Sequence, residues 1–512
     1  MRLQVGLVGK QPGYKIILEQ EGVSYSSIPI TNITEIDNYP VIVLNNSFSK
    51  VITSRLYNYI KNGGCILTSA NFFSELFDCC LATKKKKYIL PQKKSLFSEV
   101  GLVDLYDKIK FPNSIQVKAL DTGLKIFLKK YGKGKILILP FAVNKLILNS
   151  KSKRKKFYHR RKELPSEIVA RVSKNKIRRI VKKSLEYLFH QQKLPFITKW
   201  YYPKKHRQAF LFRVDTDFCS TQDAYSLYEI CQKYNINSTW FVDTASNEKL
   251  EETYSKFNAE IALHCNVHKV YNNFKDNFEH LQTAISELNK VEIDTKGFAA
   301  PFGEWNLSLA QALEKFNFAY SSEFTFDYDD FPFHPYLNNR ASSVMQIPIH
   351  PISLGRLRRS HYSKEEMFAY YKMIVAEKRK ISEPIIFYHH PHHKHFSVFE
   401  KLFKHIRNMD FWNPSFIEFS RWWNIRKNIK FNPTYKNDTI VLDEIATDYA
   451  IRISTTREKF KILPAQKRID LNKIEFDIKK ISNYSSDVKR MRNFHWRDLL
   501  YNFETWRAKQ NV

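Results

Sequence analysis

The sequence predicts an α/β protein whose strands are mostly parallel. In two parts of the chain, residues 1–163 and 197–428, short apolar runs alternate with segments of helical character. Such alternation is typical of parallel βα units. In the second part, polar residues directly follow several apolar runs, which is where parallel α/β enzymes carry their chemistry. Few glycines (13 among 512 residues) and many aromatic residues (15%) favour a packed globular core.

The first predicted domain, residues 1–163, has four short apolar strands and a helix that Gly63 and Gly64 should end. The predicted elements are Leu3–Val8, Val41–Leu44, Val51–Lys61 (the helix), Cys65–Thr68 and Lys135–Leu139. Their order resembles a flavodoxin-type or glutamine-amidotransferase-like fold. An active amidotransferase needs a nucleophile on a sharp turn after a strand. Ser69-Ala70-Asn71 follows the strand, and Cys65 stands at its start, so we expect a buried structural cysteine and a non-catalytic domain.

Two basic clusters, Lys84–Lys87 and Lys151–Lys162, interrupt this region. One interpretation is a solvated loop and a solvated helix face; the other is contact with a polyanion, which Phe157 and Tyr158 would assist. Residues 164–196 are predicted to connect the domains, with a helix over Pro165–Gln192. Its apolar stripe would comprise Ile168, Val172, Ile177, Val181, Leu185 and Leu188.

The net charge of +32 favours a polyanionic neighbour: nucleic acid, an acidic polysaccharide or an anionic membrane surface. No specific nucleic-acid-binding signature accompanies that charge. The six cysteines form no spaced framework, which indicates a reducing compartment. The first residues do not resemble a signal peptide, and no apolar run has transmembrane length. We therefore expect a cytoplasmic protein that could associate with a membrane surface.

Two motifs in the predicted domain 197–428 carry chemistry. The run from Phe210 to Asp217 is an apolar strand that ends in Asp215-Thr216-Asp217, and alternation would place Arg213, Asp215 and Asp217 on one face. The run from Glu260 ends in His264 and His268, whose spacing of one helical turn lets both contact one metal ion. One carboxylate and two imidazoles leave coordination positions open, which is typical of a catalytic metal site, and the second carboxylate could act as a base.

These motifs resemble those of the polysaccharide deacetylases, the NodB-homology group of carbohydrate esterases. The family's first motif is a strand ending in a catalytic Asp and then a metal-binding Asp, and its second is His-x-x-x-His. Thr216, which separates the two Asp residues here, departs from the commonest form. The resemblance implies a distorted (β/α) barrel. It also assigns Asp217, His264 and His268 as ligands of a divalent metal (zinc, with cobalt or nickel possible) and Asp215 as the catalytic base.

Two later segments extend the resemblance. Gly297–Gly303 resembles the third motif, whose turn supplies a backbone N–H to the oxyanion, here that of Phe302. The family's Arg is replaced by Ala299, and Arg213 could steady Asp215 instead. Pro384–Pro391 resembles the last motif, whose His protonates the leaving amine, and the position directly before Pro assigns His390. The cluster His389, His390, His392, His393 and His395 could instead be a second metal site or a solvent-facing tract.

Residues 429–512 are predicted to form an accessory β region and a C-terminal helix. Asp438–Leu442, Tyr449–Ser454 and Lys459–Ile462 would be short strands. The helix Asp487–Gln510 has an apolar stripe that packs on the protein or, as the alternative, docks on a membrane surface. That stripe comprises Trp496, Leu499, Leu500, Phe503 and Trp506, flanked by Arg490, Arg492, Arg497 and Arg507.

By resemblance, the sequence therefore predicts a metal-dependent hydrolase that removes the N-acetyl group from an N-acetylated sugar in a polysaccharide or its precursor. The pathway would be surface polysaccharide metabolism. A catalytically inactive glycan-binding or scaffold protein of the same pathway is the alternative. Asp215 discriminates between them, because an inactive relative has no need of a free carboxylate beside the metal ligands.

Overall fold

The structure, a computed structural model, describes residues 1–45, 50–113, 116–204, 206–246, 250–443, 445, 449–478 and 496–510. They form two compact units, each assembled from separate stretches of chain. Unit 1 comprises Met1–Asn149, Val172–Lys205 and Asn424–Ser485, and unit 2 comprises Ser150–Arg171, His206–Trp423 and Ser486–Val512. The continuous ranges expected from the sequence (1–163, 164–196, 197–428 and 429–512) stay a prediction as domains.

The strands are, in chain order, β1 Val5–Val8, β2 Tyr25–Ile28, β3 Val41–Val43, β4 Cys65–Ser69, β5 Leu81–Ile89, β6 Val103–Pro112, β7 Lys118–Asp121, β8 Ile126–Tyr131, β9 Gly134–Leu139, β10 Ser152–Lys156, β11 Ser166–Ala170, β12 Phe196–Pro203, β13 Phe210–Asp215 and β14 Ser238–Asp243. They continue with β15 Glu260–Cys265, β16 Gly297–Phe298, β17 Tyr320–Ser321, β18 Tyr336–Leu337, β19 Arg340–Ala341, β20 Met345–Gln346, β21 Ile385–His389, β22 Thr434–Lys436, β23 Thr439–Val441, β24 Tyr449–Ser454, β25 Lys459–Pro464, β26 Arg468–Asp470 and β27 Asp477–Ile478.

The α-helices are α1 Pro12–Glu21, α2 Lys50–Lys61, α3 Ala70–Phe77, α4 Val143–Ile147, α5 Lys174–Gln191, α6 Thr221–Lys233, α7 Leu250–Tyr254, α8 Phe274–Lys290, α9 Leu307–Lys315, α10 Leu354–Arg359, α11 Lys364–Ile381, α12 Phe396–Ile406, α13 Phe416–Asn428 and α14 Arg497–Gln510. None of the helices in the described ranges is both long and apolar enough to span a bilayer.

Unit 1 is built on a seven-stranded sheet in the order β2-β1-β3-β4-β9-β8-β7. Its first five strands are parallel, and β8 and β7 continue the sheet antiparallel. The order of the parallel strands is that of flavodoxin-like sheets. Gly63 and Gly64 end α2 as expected, donating to the carbonyls of Ile60 and Tyr59. Beyond this strand order, the flavodoxin- or amidotransferase-like assignment stays a prediction.

Three local predictions outside the Asp and His motifs were wrong. Lys84–Lys87 lies on exposed strand β5, paired with β6, and not in a loop. The second basic cluster begins on strand β10 and not on a helix, because Ser152–Lys156 pairs antiparallel with β11. That pairing makes Ser166–Ala170 a strand as well, so helix α5 begins only at Lys174.

The strands predicted after residue 430 are present, but they do not form a separate unit. β24 pairs antiparallel with β12, and β25 and β27 extend that sheet. β22, β23 and β26 form a second small antiparallel sheet. Both sheets belong to unit 1. The predicted C-terminal helix is described only from Arg497, and Arg490 and Arg492 lie outside the described residues.

Unit 2 is organised around a second seven-stranded sheet, in the order β20-β17-β16-β15-β14-β13-β21, with every pairing parallel. The sheet is a half-barrel, because no strand pairing joins its edge strands β20 and β21 within the described residues. The two edges do approach each other: the N–H of His350, four residues after β20, donates to the carbonyl of Ile386 in β21 at 2.9 Å. The carboxyl ends of these strands meet at one end of the sheet, where ligands bind in such folds.

Candidate active site and metal centre

The end of strand β13 carries a buried ion pair. Arg213 donates from Nε to Asp215 Oδ1 at 2.6 Å and from Nη2 to Asp215 Oδ2 at 2.8 Å, while Nη1 donates to the carbonyl of Ser322. The two side chains are only 1% and 3% exposed. Burial alone would raise the pKa of Asp215, but Arg213, together with the neighbouring His264 and His390, outweighs burial and the pKa is lowered. Asp215 is therefore held as a carboxylate.

Asp217 lies two residues beyond β13, in a turn, next to two histidines. His264 Nε2 is 3.5 Å from Asp217 Oδ1, and His268 Nε2 is 3.6 Å from Asp217 Oδ2. His264 is the fifth residue of strand β15 and His268 lies in the turn that follows, so the expected helical spacing of the pair was wrong. The histidines still converge, because the chain turns directly after the strand and folds back toward Asp217.

The chemistry of these three side chains fits a divalent cation. Asp217 Oδ1 and His264 Nε2 are buried without a hydrogen-bond partner, which is costly unless an ion satisfies them. His264 Nδ1 lies 2.7 Å from the carbonyl of Ala299. A proton on Nδ1 would donate to that carbonyl and leave Nε2 as a ligand, the usual arrangement around metal-binding histidines. The ligand atoms of Asp217, His264 and His268 all lie within 4.8 Å of one another.

The pKa values of these groups follow from their burial. Burial raises the pKa of Asp217 to about 6, assisted by the neighbouring Asp215 carboxylate and opposed by His268. Burial also lowers the pKa of His264 to about 3, so its imidazole is neutral at neutral pH. A neutral imidazole is the form that binds metal. Cation binding would remove the cost of ionising Asp217 in this environment.

His390, directly after strand β21, reaches the same place. Its Nε2 is 3.8 Å from Asp215 Oδ2 and 3.7 Å from Asp217 Oδ2. Burial lowers the pKa of His390 to about 4, against the opposing effect of Asp215. His389 lies on the other face of the strand, where its ring packs 4.9 Å from that of Phe399. Of the five clustered histidines, His390, His392 and His393 line the cavity at this end of the sheet.

The third motif forms a tight turn over Pro301–Gly303. Phe302 has φ 56° and Gly303 has φ 59°. A side chain at Gly303 would meet the ring of Phe324, so the turn requires glycine there. The ring of Phe302 lies 4.7 Å from that of His268, and the residue lines the cavity. Ala299, at the position of the family's Arg, contributes the carbonyl that His264 contacts.

A cavity of about 300 Å³ contains these groups. Its wall includes residues that no sequence motif indicates. Arg356 of α10 pairs through two nitrogens with Glu167 of β11, and Phe218, 66% exposed, stands at the rim next to His268. No motif signals Glu167 or Arg356: Glu167 is 43 residues before Phe210, where the nearest motif begins, and only the β10–β11 hairpin brings it to the site. Phe218 had a signal, because it follows Asp217 directly in an otherwise polar turn.

No protein-family model and no curated protein matches this chain. Several solved structures are similar in fold over part of it. A Mycobacterium smegmatis protein provisionally assigned as a polysaccharide deacetylase aligns with 45% of this chain and 94% of its own, at 17% identity and a TM-score of 0.39. A CE4 family pseudoenzyme from Bacillus anthracis aligns with 42% of this chain and 65% of its own, at 11% identity and a TM-score of 0.32.

A third solved structure, a family 4 carbohydrate esterase from Streptomyces lividans in complex with acetate, aligns with 41% of this chain and 91% of its own, at 10% identity and a TM-score of 0.29. Because the identities and TM-scores of these three structures are low, the chemistry of this protein has to be derived from the site itself. That site joins a buried Asp-His-His set, a second carboxylate paired with arginine, and a third imidazole in one cavity.

Proposed function

We propose that this protein is a metal-dependent hydrolase that removes the N-acetyl group from an N-acetylated sugar of a polysaccharide or its precursor, in surface polysaccharide metabolism. One observation carries the proposal. Asp215 lies beside Asp217, His264 and His268. It accepts two hydrogen bonds from Arg213, which favour its ionised form. A purely structural metal site has no need of a second carboxylate kept ionised in a buried position.

Asp217, His264 and His268 would hold the cation, and zinc, cobalt or nickel suits this donor set. A divalent cation bound there would supply Lewis-acid polarisation of the acetamide group. Three protein ligands leave room for a substrate oxygen, as in catalytic sites. The alternative pairing of Asp215 and Asp217 with His390 also brings three ligand atoms within 4.8 Å of one another, but Arg213 already occupies both oxygens of Asp215.

Asp215 would accept the proton of the attacking water, and that proton has to reach the departing amine nitrogen. His390 is suited to pass it on, because its Nε2 is 3.8 Å from Asp215 Oδ2. With its pKa lowered to about 4, the His390 ring is neutral at rest. We therefore infer that His390 receives the proton during the reaction and then donates it, instead of entering the cycle already protonated.

Phe302 and Phe218 would orient the substrate. The backbone N–H of Phe302 belongs to the turn that lines the cavity, and a donor aimed at the developing oxyanion is typically worth ~10²–10³ in rate. Phe218 has φ 54°, an uncommon conformation for an aromatic residue, and exposes its ring at the cavity rim. An aromatic face held there suits the apolar face of a sugar ring.

The test is acetate release from a panel of N-acetylated glycans, measured with and without a chelator and after re-addition of zinc, cobalt or nickel. We expect release that the chelator abolishes and one of these metals restores. No release from any glycan under any metal would overturn the enzymatic proposal and favour a glycan-binding relative. Release that persists in the chelator after metal analysis shows an empty protein would overturn the metal's role.

A further inference from the structure

Helix α14 turns its apolar side chains away from the protein. Trp496, directly before α14, and Leu499, Leu500, Phe503 and Trp506 within it recur at helical spacing along one face, and each is between 45% and 64% exposed. They are five of the fourteen large apolar side chains that are exposed in the described part of the chain, and they lie within eleven residues. A contiguous apolar patch on a soluble surface marks an interaction site.

The polar face of the same helix contacts unit 2. Tyr501 donates its hydroxyl to the carbonyl of Arg359 at 2.7 Å, and Asn502 accepts from Arg154 Nε at 2.5 Å. Arg497 pairs with Glu163 at 3.4 Å, and Glu504 lies 3.7 Å from Arg359. A helix that belongs to a protein core would orient the opposite way, with its apolar stripe inward. The contacts therefore fix α14 with its apolar face exposed to solvent.

The surroundings of the helix are strongly basic. The elements that hold it, the β10–β11 hairpin and α10, expose many cations, and the helix itself exposes Arg507. Those cations are Lys151, Lys153, Arg160, Lys162, Arg358 and Arg359. Two acidic groups lie here, Glu163 beside Arg497 and Glu504 of the helix beside Arg359. An apolar face with tryptophans toward both ends, set among cations, matches an anionic lipid surface.

We propose that α14 docks on the surface of an anionic lipid bilayer. Trp496 and Trp506 are ten residues apart, about 15 Å along the axis, so both indoles would lie at the headgroup level of a helix parallel to the bilayer. Leu499, Leu500 and Phe503 between them would enter the acyl boundary. Exposed cations on the hairpin, α10 and the helix would attract anionic headgroups.

The same helix connects the bilayer to the cavity. Arg359 and Glu504, which lie 3.7 Å apart, both line the cavity that contains Asp215 and Asp217. Docking would therefore hold this part of the cavity wall about one helix diameter, ~10 Å, from the membrane surface. The inference about the substrate, unlike the docking itself, rests on the proposed deacetylase function. Given that function, the natural substrate of the protein is a glycan presented at the membrane surface, such as one attached to a lipid carrier.

Co-sedimentation of the full chain with lipid vesicles tests the docking. The wild type should bind vesicles of phosphatidylcholine with phosphatidylglycerol, bind pure phosphatidylcholine more weakly, and be released by high salt. The double variant Leu499→Glu, Phe503→Glu should bind the anionic vesicles at least about tenfold more weakly, because two charges replace buried apolar area. Ile425→Glu, another exposed apolar residue on a helix, is the matched control and should bind as the wild type does.

The result is independent of catalysis. Acetate release from a soluble glycan should be the same in the double variant and the wild type, which also shows that the variant is folded. Equal vesicle binding by wild type and double variant, or no wild-type binding to anionic vesicles, would overturn the proposal. A wild-type dimer in light scattering that the double variant converts to a monomer would also overturn it, in favour of a second copy of the chain. Absence of acetate release with normal vesicle binding would count against the deacetylase function alone.

Discussion

Replacing Arg213 with methionine should damage both the fold and the reaction. The substitution keeps much of the side-chain volume but leaves Asp215, whose side chain is 3% exposed, without its two hydrogen bonds. Removing one partner of a buried ion pair typically costs about 3–5 kcal/mol in the free energy of unfolding. Because both side chains are buried, solvent screening gives little relief. The carbonyl of Ser322 also loses the donor that Arg213 provides.

The effect on the reaction follows from the pKa of Asp215. In the wild type, Arg213 and the neighbouring His264 and His390 together outweigh burial and lower that pKa, so the proposed base is ionised across the neutral range. Without Arg213, burial dominates and the pKa rises, so the acidic limb of the pH profile of kcat/KM should move to higher pH. At neutral pH we expect a loss of about 10²–10⁴, the range for removal of a general base, with partial recovery as pH rises.

Acetate release across a pH series and urea unfolding give the two readouts. Arg340→Met is the control, since Arg340 pairs with Glu314 through two nitrogens but is 62% exposed. That exposed pair should contribute at most about 1 kcal/mol, and its loss should not move the pH profile. An Arg213→Met protein with an unmoved acidic limb would refute the role of Arg213 as the partner that keeps Asp215 ionised.

Further predictions concern the metal, the acid and the substrate. Metal affinity should fall as pH drops below about 6, because burial raises the pKa of Asp217 to that value and metal binding needs its carboxylate. Calorimetric titration of the metal at several pH values checks this, and an affinity that does not change with pH would contradict it. The double variant His264→Ala, His268→Ala should lose the metal by elemental analysis, and stoichiometric metal remaining would transfer the site to the His389–His395 cluster. His390→Ala should retain metal and lose about 10²–10⁴ in rate, whereas equal rates in variant and wild type would remove it from the proton path. Phe218→Ala should raise KM several-fold with little change in kcat, and an unchanged KM would exclude Phe218 as a sugar platform.

The sequence predicted the site best where polar residues end or directly follow an apolar strand. Asp215, Asp217, His264 and His390 each follow or end an apolar run, and parallel strands bring such ends together, so their convergence could be expected. The spacing of His264 and His268 was misleading, because a four-residue separation fits a helix and also a strand that ends in a tight turn. Arg213 could be chosen as a partner for Asp215 from strand alternation alone, since residues two apart share a face.

Other features depended on long-range pairing that no local pattern encodes. Ser166–Ala170 has a helix-like apolar stripe with α5, yet it pairs with Ser152–Lys156 as a strand. That hairpin carries Glu167 to Arg356 and so builds a wall of the cavity. The orientation of α14 was mispredicted for a related reason. The sequence favoured packing of its apolar stripe on the protein, with docking on a membrane surface as the alternative, whereas the contacts of Tyr501, Asn502 and Arg497 place the polar face of the helix against the protein.

The most direct test of the account compares two neighbouring carboxylates in one experiment. Metal content and acetate release should be measured side by side for Asp215→Asn and Asp217→Asn. Asp215→Asn should keep about one equivalent of metal while its rate falls by about 10²–10⁴, because the base is lost and the ligands are not. Asp217→Asn should lose metal and, with it, activity. If Asp215→Asn loses metal and Asp217→Asn keeps it, the roles are reversed; if both variants keep metal and full activity, the deacetylase proposal is contradicted.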